Sequence, residues 1–150
     1  MSFPLIVVTG ATGQLGQTLA QLWAESPLPQ YQLKVLSRSE LDIAKAGMTD
    51  AVLSELKPSV VVNAAAYTQV DKAESDSESA ALVNAQAVGS IARWVAANQA
   101  RLIHISTDFV FDGTSNTPYT PDQQTDRPSG RLWRFQVGWR ATDTGTGQRA

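Results

Sequence analysis

The run Leu5-Ile-Val-Val-Thr9, followed at once by Gly10, constrains the fold of this chain more than any other stretch. An apolar, largely β-branched run of that length, ended by glycine, reads as a strand buried on both faces of a parallel sheet. The pattern then repeats. Leu15, Leu19, Leu22 and Trp23 recur at helical spacing until Pro27 and Pro29 end the helix, and Leu33–Leu36 supplies a second strand. Met48–Lys57 forms a second helix stopped by Pro58, and Val60–Val62 is a third strand. The Ala-rich stretch Asp76–Asn98 predicts a long helix with Leu82, Val83, Ile91, Trp94 and Val95 turned inward, before Arg101–Ser106 returns as a fourth strand. Strands alternating with helices predict an α/β fold, a doubly wound parallel sheet with right-handed crossovers.

The alternation stops at Arg127. Residues 1–126 carry seven basic and thirteen acidic side chains, whereas residues 127–150 carry five, all Arg, against one acid. That tail has neither a helical nor a strand period. Two segments are therefore expected: an incomplete nucleotide-binding domain over 1–126 and an irregular basic tail over 127–150. At 150 residues and 43% hydrophobic content the chain can bury one sizeable core. A formal net charge of −2 gives no reason to expect nucleic acid or an anionic membrane as partner, and favours small-molecule chemistry. The absence of cysteine excludes disulfides, thiolate metal sites and Cys nucleophiles, and fits a cytoplasmic protein. Leu5–Val8 is too short for a signal or membrane segment.

Between the first strand and first helix lies Thr9-Gly-Ala-Thr-Gly-Gln-Leu-Gly16. Gly10 permits a tight turn, Gly13 lets a pyrophosphate approach the backbone, and Gly16 lets helix pack on strand. The helix N-terminal N–H groups, with Thr12, Gln14 and Leu15 around them, are left to hold phosphates. Three glycines also occur in purely structural turns, so it is their place between buried strand and amphipathic helix that points to a nucleotide. The second strand ends in Ser37-Arg-Ser39 with no acid at its tip. An acid there would grip a ribose 2′-hydroxyl, and an Arg can pair with a 2′-phosphate, so Arg38 favours NADPH, with NADH the alternative. Arg38 as a solvated surface charge stays open.

The Gly-x-x-Gly-x-x-Gly spacing resembles the short-chain dehydrogenase/reductase superfamily. Val62-Asn-Ala-Ala-Ala-Tyr-Thr68, Val70-Asp-Lys-Ala-Glu74 and Ile105-Ser-Thr-Asp-Phe-Val-Phe-Asp-Gly113 narrow the resemblance to its extended branch and the dTDP-4-dehydrorhamnose reductase family, over residues 5–126. The resemblance implies a Rossmann-type NAD(P)-binding fold that lacks its later strands and substrate lobe. It also implies hydride transfer from NADPH to the C4 ketone of a dTDP-4-keto-6-deoxy sugar, giving dTDP-L-rhamnose. By the same resemblance Thr107 supplies the hydroxyl that bonds the developing alkoxide, with Ser106, Asp108 and Phe109 on the substrate side. Asp42 and Ile43 of Leu41-Asp-Ile43 border the adenine, and Ala64, Ala65, Ala66 and Thr68 line the cofactor. Asn84 matches a family Asn of the long helix, or is an ordinary helix-surface residue. The only histidine, His104, alternates with Ile103 and Ile105 on a strand read as buried, which favours a core or sheet-face position over a catalytic base. The family further implies Mg²⁺ at a dimer interface, yet no metal ligand carries over, and dimerisation rests on the family alone.

The family's proton donor and ribose anchor, a Tyr-x-x-x-Lys pair, should follow Pro118-Tyr119, yet no Lys occurs after Lys72. Losing general-acid catalysis alone should cost about 10²–10⁴-fold in rate. Arg131–Arg140, with the first base of Ala141, can be encoded so that a one-base shift reads Val-Tyr-Gly-Val-Ser-Lys-Leu-Ala-Gly-Glu, which contains the pair. Trp139 followed by a CGN-coded Arg140 forces the shifted Gly, and Gln136 before Val137 permits only Lys or Arg. A frameshift near Arg127 is therefore expected, the alternative being a divergent C-terminus. Three states of the chain follow: an impaired reductase, a non-catalytic NADP(H)-binding module, or an unstable fragment.

Overall fold

The computed structural model describes residues 3–69, 76–106, 111 and 114–120. Four strands, β1 (Leu5–Thr9), β2 (Gln32–Leu36), β3 (Val60–Asn63) and β4 (Arg101–His104), form one parallel sheet in the order β2-β1-β3-β4. Between them lie α1 (Gln14–Glu25), α2 (Met48–Leu56), α3 (Ser77–Ala81) and α4 (Ala87–Ala97). The expected α/β parallel sheet is present, and each predicted strand falls within two residues of its place.

The chain separates into two compact units, one of residues 1–66 and 87–105, the other of 67–86 and 106–150. The first unit holds the sheet. Its core is Val7, Val8, Leu36, Leu41, Leu53, Val61, Val88 and Ile91, all 3% exposed or less. Burying each such side chain contributes about 1.5–3 kcal/mol, and the strands supply half of them, Val7, Val8, Leu36 and Val61, with the helices and the Leu41 loop supplying the rest. Helices α2 and α4 pack on one another, and the Trp94 indole N–H donates to Ser54 Oγ at 2.9 Å, giving a large aromatic ring a satisfied polar end. Lys57, in the left-handed region at φ 49°, ends α2 directly before Pro58.

In the second unit, Asp76 caps α3 by accepting from the Ser79 N–H. Phe111 stacks on Tyr119 with ring centroids 4.3 Å apart. The Tyr119 hydroxyl accepts from the Ser115 N–H at 3.1 Å.

Three expectations need correction. The helix predicted over Asp76–Asn98 is interrupted at Leu82–Gln86 by a π-helical turn. Its wider period rotates the face, so Leu82 and Val83 are only half-buried while Asn84 is buried, against the surface reading. Ile91, Trp94 and Val95 are buried as expected. In α1 the apolar stripe is present, but Leu15 and Leu22 are exposed and Gly16 is the buried position. Periodicity identifies residues that share a face, not what covers it. β4 is one of the two edge strands of the described sheet, and Ile103 and Ile105 are exposed rather than buried.

Candidate functional site

β2 lies on one side of β1 and β3 on the other. The chain therefore reverses direction of travel across the sheet at the carboxyl ends of β1 and β3, where open α/β sheets take their ligands. The β1 turn and the β3 loop meet there. Gly10 has φ +83°, and a Cβ built on it would stand 3.0 Å from Ala64 C, Ala64 O and Ala65 N. Only glycine meets both demands. A Cβ on Gly16 would stand 2.2 Å from the Gly10 carbonyl oxygen, so the first turn of α1 rests directly on the loop.

Gly13 is different. Its φ is −78°, and an added Cβ would meet only the Gly10 oxygen, at 3.4 Å. Gly13 is the N-cap of α1, with no side-chain cap and no acid in the first turn. The amides of Gln14, Leu15 and Gly16 thus begin a helix whose positive end is left to solvent or a ligand. The turn is held by Gly13 N–H to the Gly10 carbonyl and Gln17 N–H to the Gly13 carbonyl, each 3.0 Å, while Gln17 Nε2 donates to the Thr12 carbonyl at 2.8 Å.

Beneath the loop runs a polar ladder that the sequence reading did not assemble. Thr9, Asn63 and His104 are register partners on β1, β3 and β4. The Thr9 hydroxyl donates to Asn63 Oδ1 at 2.6 Å, and the Ala65 N–H donates to the same oxygen at 3.3 Å. With its oxygen so engaged, the Asn63 amide nitrogen pairs with His104 Nδ1 at 3.1 Å. Asn63 thereby fixes the Ala64–Ala65 backbone against Gly10, and His104 is a half-buried sheet-face member of the ladder. The signal was present in the sequence: each of these apolar runs closes on a polar residue.

The Leu36 carbonyl accepts from the Ala11 N–H at 3.1 Å, so the tip of β2 abuts the glycine turn. Arg38, 80% exposed, donates through Nε to Asp42 at 3.0 Å, and Asp42 also accepts from the Ala44 N–H. Asp42 is half-buried, with Leu41 and Ile43 on either side sunk in the core. The reading that no acid stands at the strand tip needs revision. Glu40 turns back on Ser37, Oε2 accepting from the Ser37 hydroxyl at 2.7 Å and from its N–H at 2.9 Å. Those bonds, the hydroxyl's first, hold the Glu40 carboxyl below its ordinary pKa.

The expected cofactor residues Gly10, Thr12, Gly13, Gln14, Leu15, Gly16, Arg38, Asp42, Ile43, Ala64, Ala65 and Ala66 all fall in the sheet unit. Thr68 and Ser106, both exposed, fall in the other. There, buried Asn84 accepts from the Tyr67 N–H at 2.8 Å and donates to the Tyr67 carbonyl at 3.0 Å, holding the backbone beside Thr68. Thr107, Asp108 and Phe109 lie outside the described residues. Among the described residues no cluster of three or more metal-ligating side chains occurs.

Comparison with known proteins places this geometry. The dTDP-4-dehydrorhamnose reductase of Burkholderia thailandensis is 43% identical over 120 residues, covering 80% of this chain and 39% of that protein. The crystal structure of a dTDP-4-dehydrorhamnose reductase from Clostridium acetobutylicum superimposes with a TM-score of 0.83 at 29% identity, covering 91% of this chain and 48% of that one. That of the Bacillus anthracis reductase in complex with NADP gives 0.81 at 28% identity, covering 94% and 49%. The chain thus spans roughly two fifths of its curated relative and half of these solved ones. Residues 4–131 match the family described as the RmlD substrate binding domain, and the chain belongs to that family.

Proposed function

We propose that residues 1–126 are the dinucleotide-binding part of a dTDP-4-dehydrorhamnose reductase, which reduces dTDP-4-dehydro-L-rhamnose to dTDP-L-rhamnose with NADPH. The observation that carries this is the cradle at Gly10, Gly13 and Gly16. Two of its glycines are demanded by the protein's own backbone, and the third leaves open space before a helix N-terminus. That is the arrangement a pyrophosphate needs. Gly13 to Gly16 would hold the diphosphate through backbone N–H groups, and Arg38 would answer the 2′-phosphate. Ala64–Ala66 and Thr68 would line the remainder, with Asp42 and Ile43 at the adenine. When bound, NADPH supplies the hydride. Thr107 would hydrogen-bond the ketone oxygen as it gains charge, lowering the barrier electrostatically. Ser106, Asp108 and Phe109 would contact the sugar.

Catalytic impairment of this chain is part of the proposal. Residues 73–150 contain no Lys, so the Tyr-x-x-x-Lys pair that the family resemblance places soon after Pro118-Tyr119 does not occur there, and the family match ends at residue 131. We attribute residues 127–150 to a shifted reading frame. Determining the encoding DNA across codons 125–142 tests this: a shifted frame without Tyr-Gly-x-Ser-Lys refutes it. Turnover with dTDP-4-keto sugar and NADPH, run beside cofactor titration, tests the function. Saturable binding with turnover at least about 10²-fold below a full-length relative is expected. A cooperative, folded chain that binds neither NADPH nor NADH refutes the assignment.

A further inference from the structure

We propose that Glu40 reads the 2′ position of the adenosine ribose, by occupying the anion site that a 2′-phosphate would need. The inference rests on the dinucleotide reading above and concerns its selectivity. Ser37 directly follows Leu36, whose carbonyl is bonded to the glycine turn, so this cluster stands beside the cradle. Two of its donors, both from Ser37, converge on a single point. The Ser37 N–H and hydroxyl both reach Glu40 Oε2, and Ser39 Oγ lies 2.9 Å from Ser37 Oγ. Arg38 follows Ser37 in sequence, and its guanidinium, 80% exposed, is tied through Nε to Asp42. The Ser37 N–H and hydroxyl that hold the carboxylate are donors a phosphate monoester would also take, with Ser39 Oγ bonded to the Ser37 hydroxyl behind them. In this chain a carboxylate already takes them.

The two dinucleotides meet that carboxylate differently. A ribose 2′-hydroxyl is a donor, and Glu40 as it stands can accept its hydrogen bond without rearrangement. A 2′-phosphate carries close to two negative charges and wants the same Ser37 donors, so Glu40 must leave before it can bind. Glu40 is exposed, and the turn that brings it back is closed by backbone bonds from Glu40 N–H and Leu41 N–H to the Ser37 carbonyl, at 3.1 and 2.9 Å. Its side chain can therefore swing away while the turn persists. Arg38 and Glu40 oppose one another, Arg38 favouring the phosphate and Glu40 the hydroxyl.

The test is a fluorescence titration of the purified chain with NADPH and with NADH, comparing the unaltered protein with Glu40→Gln and Arg38→Gln. Glu40→Gln should move the ratio of the two dissociation constants about tenfold toward NADPH, the scale of one hydrogen bond to a charged group. Both constants should move, NADPH tightening and NADH weakening. Arg38→Gln should move the ratio the other way, through NADPH alone. A Glu40→Gln ratio within about twofold of the unaltered one overturns the proposal, leaving Glu40 as a cap of the turn that alters only the thermal melt. If the unaltered chain binds neither dinucleotide, the reading beneath the proposal falls first.

Discussion

The glycine turn after β1 and the serine turn after β2 stand side by side, yet they are built on opposite principles. The first is made of backbone. Gly10 and Gly16 are dictated by main-chain atoms 2.2–3.0 Å from where a side chain would begin, and the helix start at Gly13 carries no side-chain cap. The second is made of side chains. Ser37, Arg38, Ser39, Glu40 and Asp42 exchange hydrogen bonds on an open surface and can trade partners without disturbing the core. The lesson is a division of labour under the proposed function: a rigid turn would recognise what all the dinucleotides share, and an adaptable one would distinguish among them.

Breaking the rigid turn should cost most. Gly16→Val drives a branched side chain into the Gly10 carbonyl, and should lower stability by about 3 kcal/mol and abolish dinucleotide binding, read by chemical denaturation and titration. Gly10→Ala should cost about 1–3 kcal/mol, because φ +83° is strained for any Cβ and the Ala64 backbone leaves no room. Asn63→Ala strips the buried Thr9 hydroxyl, the Ala65 N–H and His104 Nδ1 of a shared partner, and should cost about 1–3 kcal/mol. Gly13→Ala sharpens the comparison. Its φ of −78° suits alanine and its nearest obstacle is 3.4 Å away, so stability should shift by less than about 0.5 kcal/mol. Dinucleotide affinity should nevertheless fall more than about tenfold, since the methyl group takes the space a pyrophosphate would use.

The contrast also explains what could be read from the sequence. Backbone demands leave glycines at set spacing, so the β1 turn was legible residue by residue. The strands were too, since runs such as Leu5–Thr9 and Val60–Val62 admit little else. Strand order was not, because periodicity names faces rather than neighbours, and the Thr9–Asn63–His104 ladder appears only once β1, β3 and β4 are in register. The π-helical turn escaped because a 3.6-residue period was assumed throughout, which misplaced Leu82, Val83 and Asn84. Glu40 lies three residues beyond Ser37, past the strand tip, and reaches it only by a turn. Its Ser-x-x-Glu spacing from Ser37 is the signature of a side chain that reaches back over a turn, and would have found it.

The central question is whether the open space before Gly13 is a pyrophosphate seat. The most direct measurement is a fluorescence titration of NADPH against the purified chain and its Gly13→Ala variant, with a thermal melt of each. Saturable binding by the unaltered chain, lost in the variant while the melt is unmoved, is the predicted result. Equal binding by both proteins, or none by an unaltered chain that melts cooperatively, would contradict it.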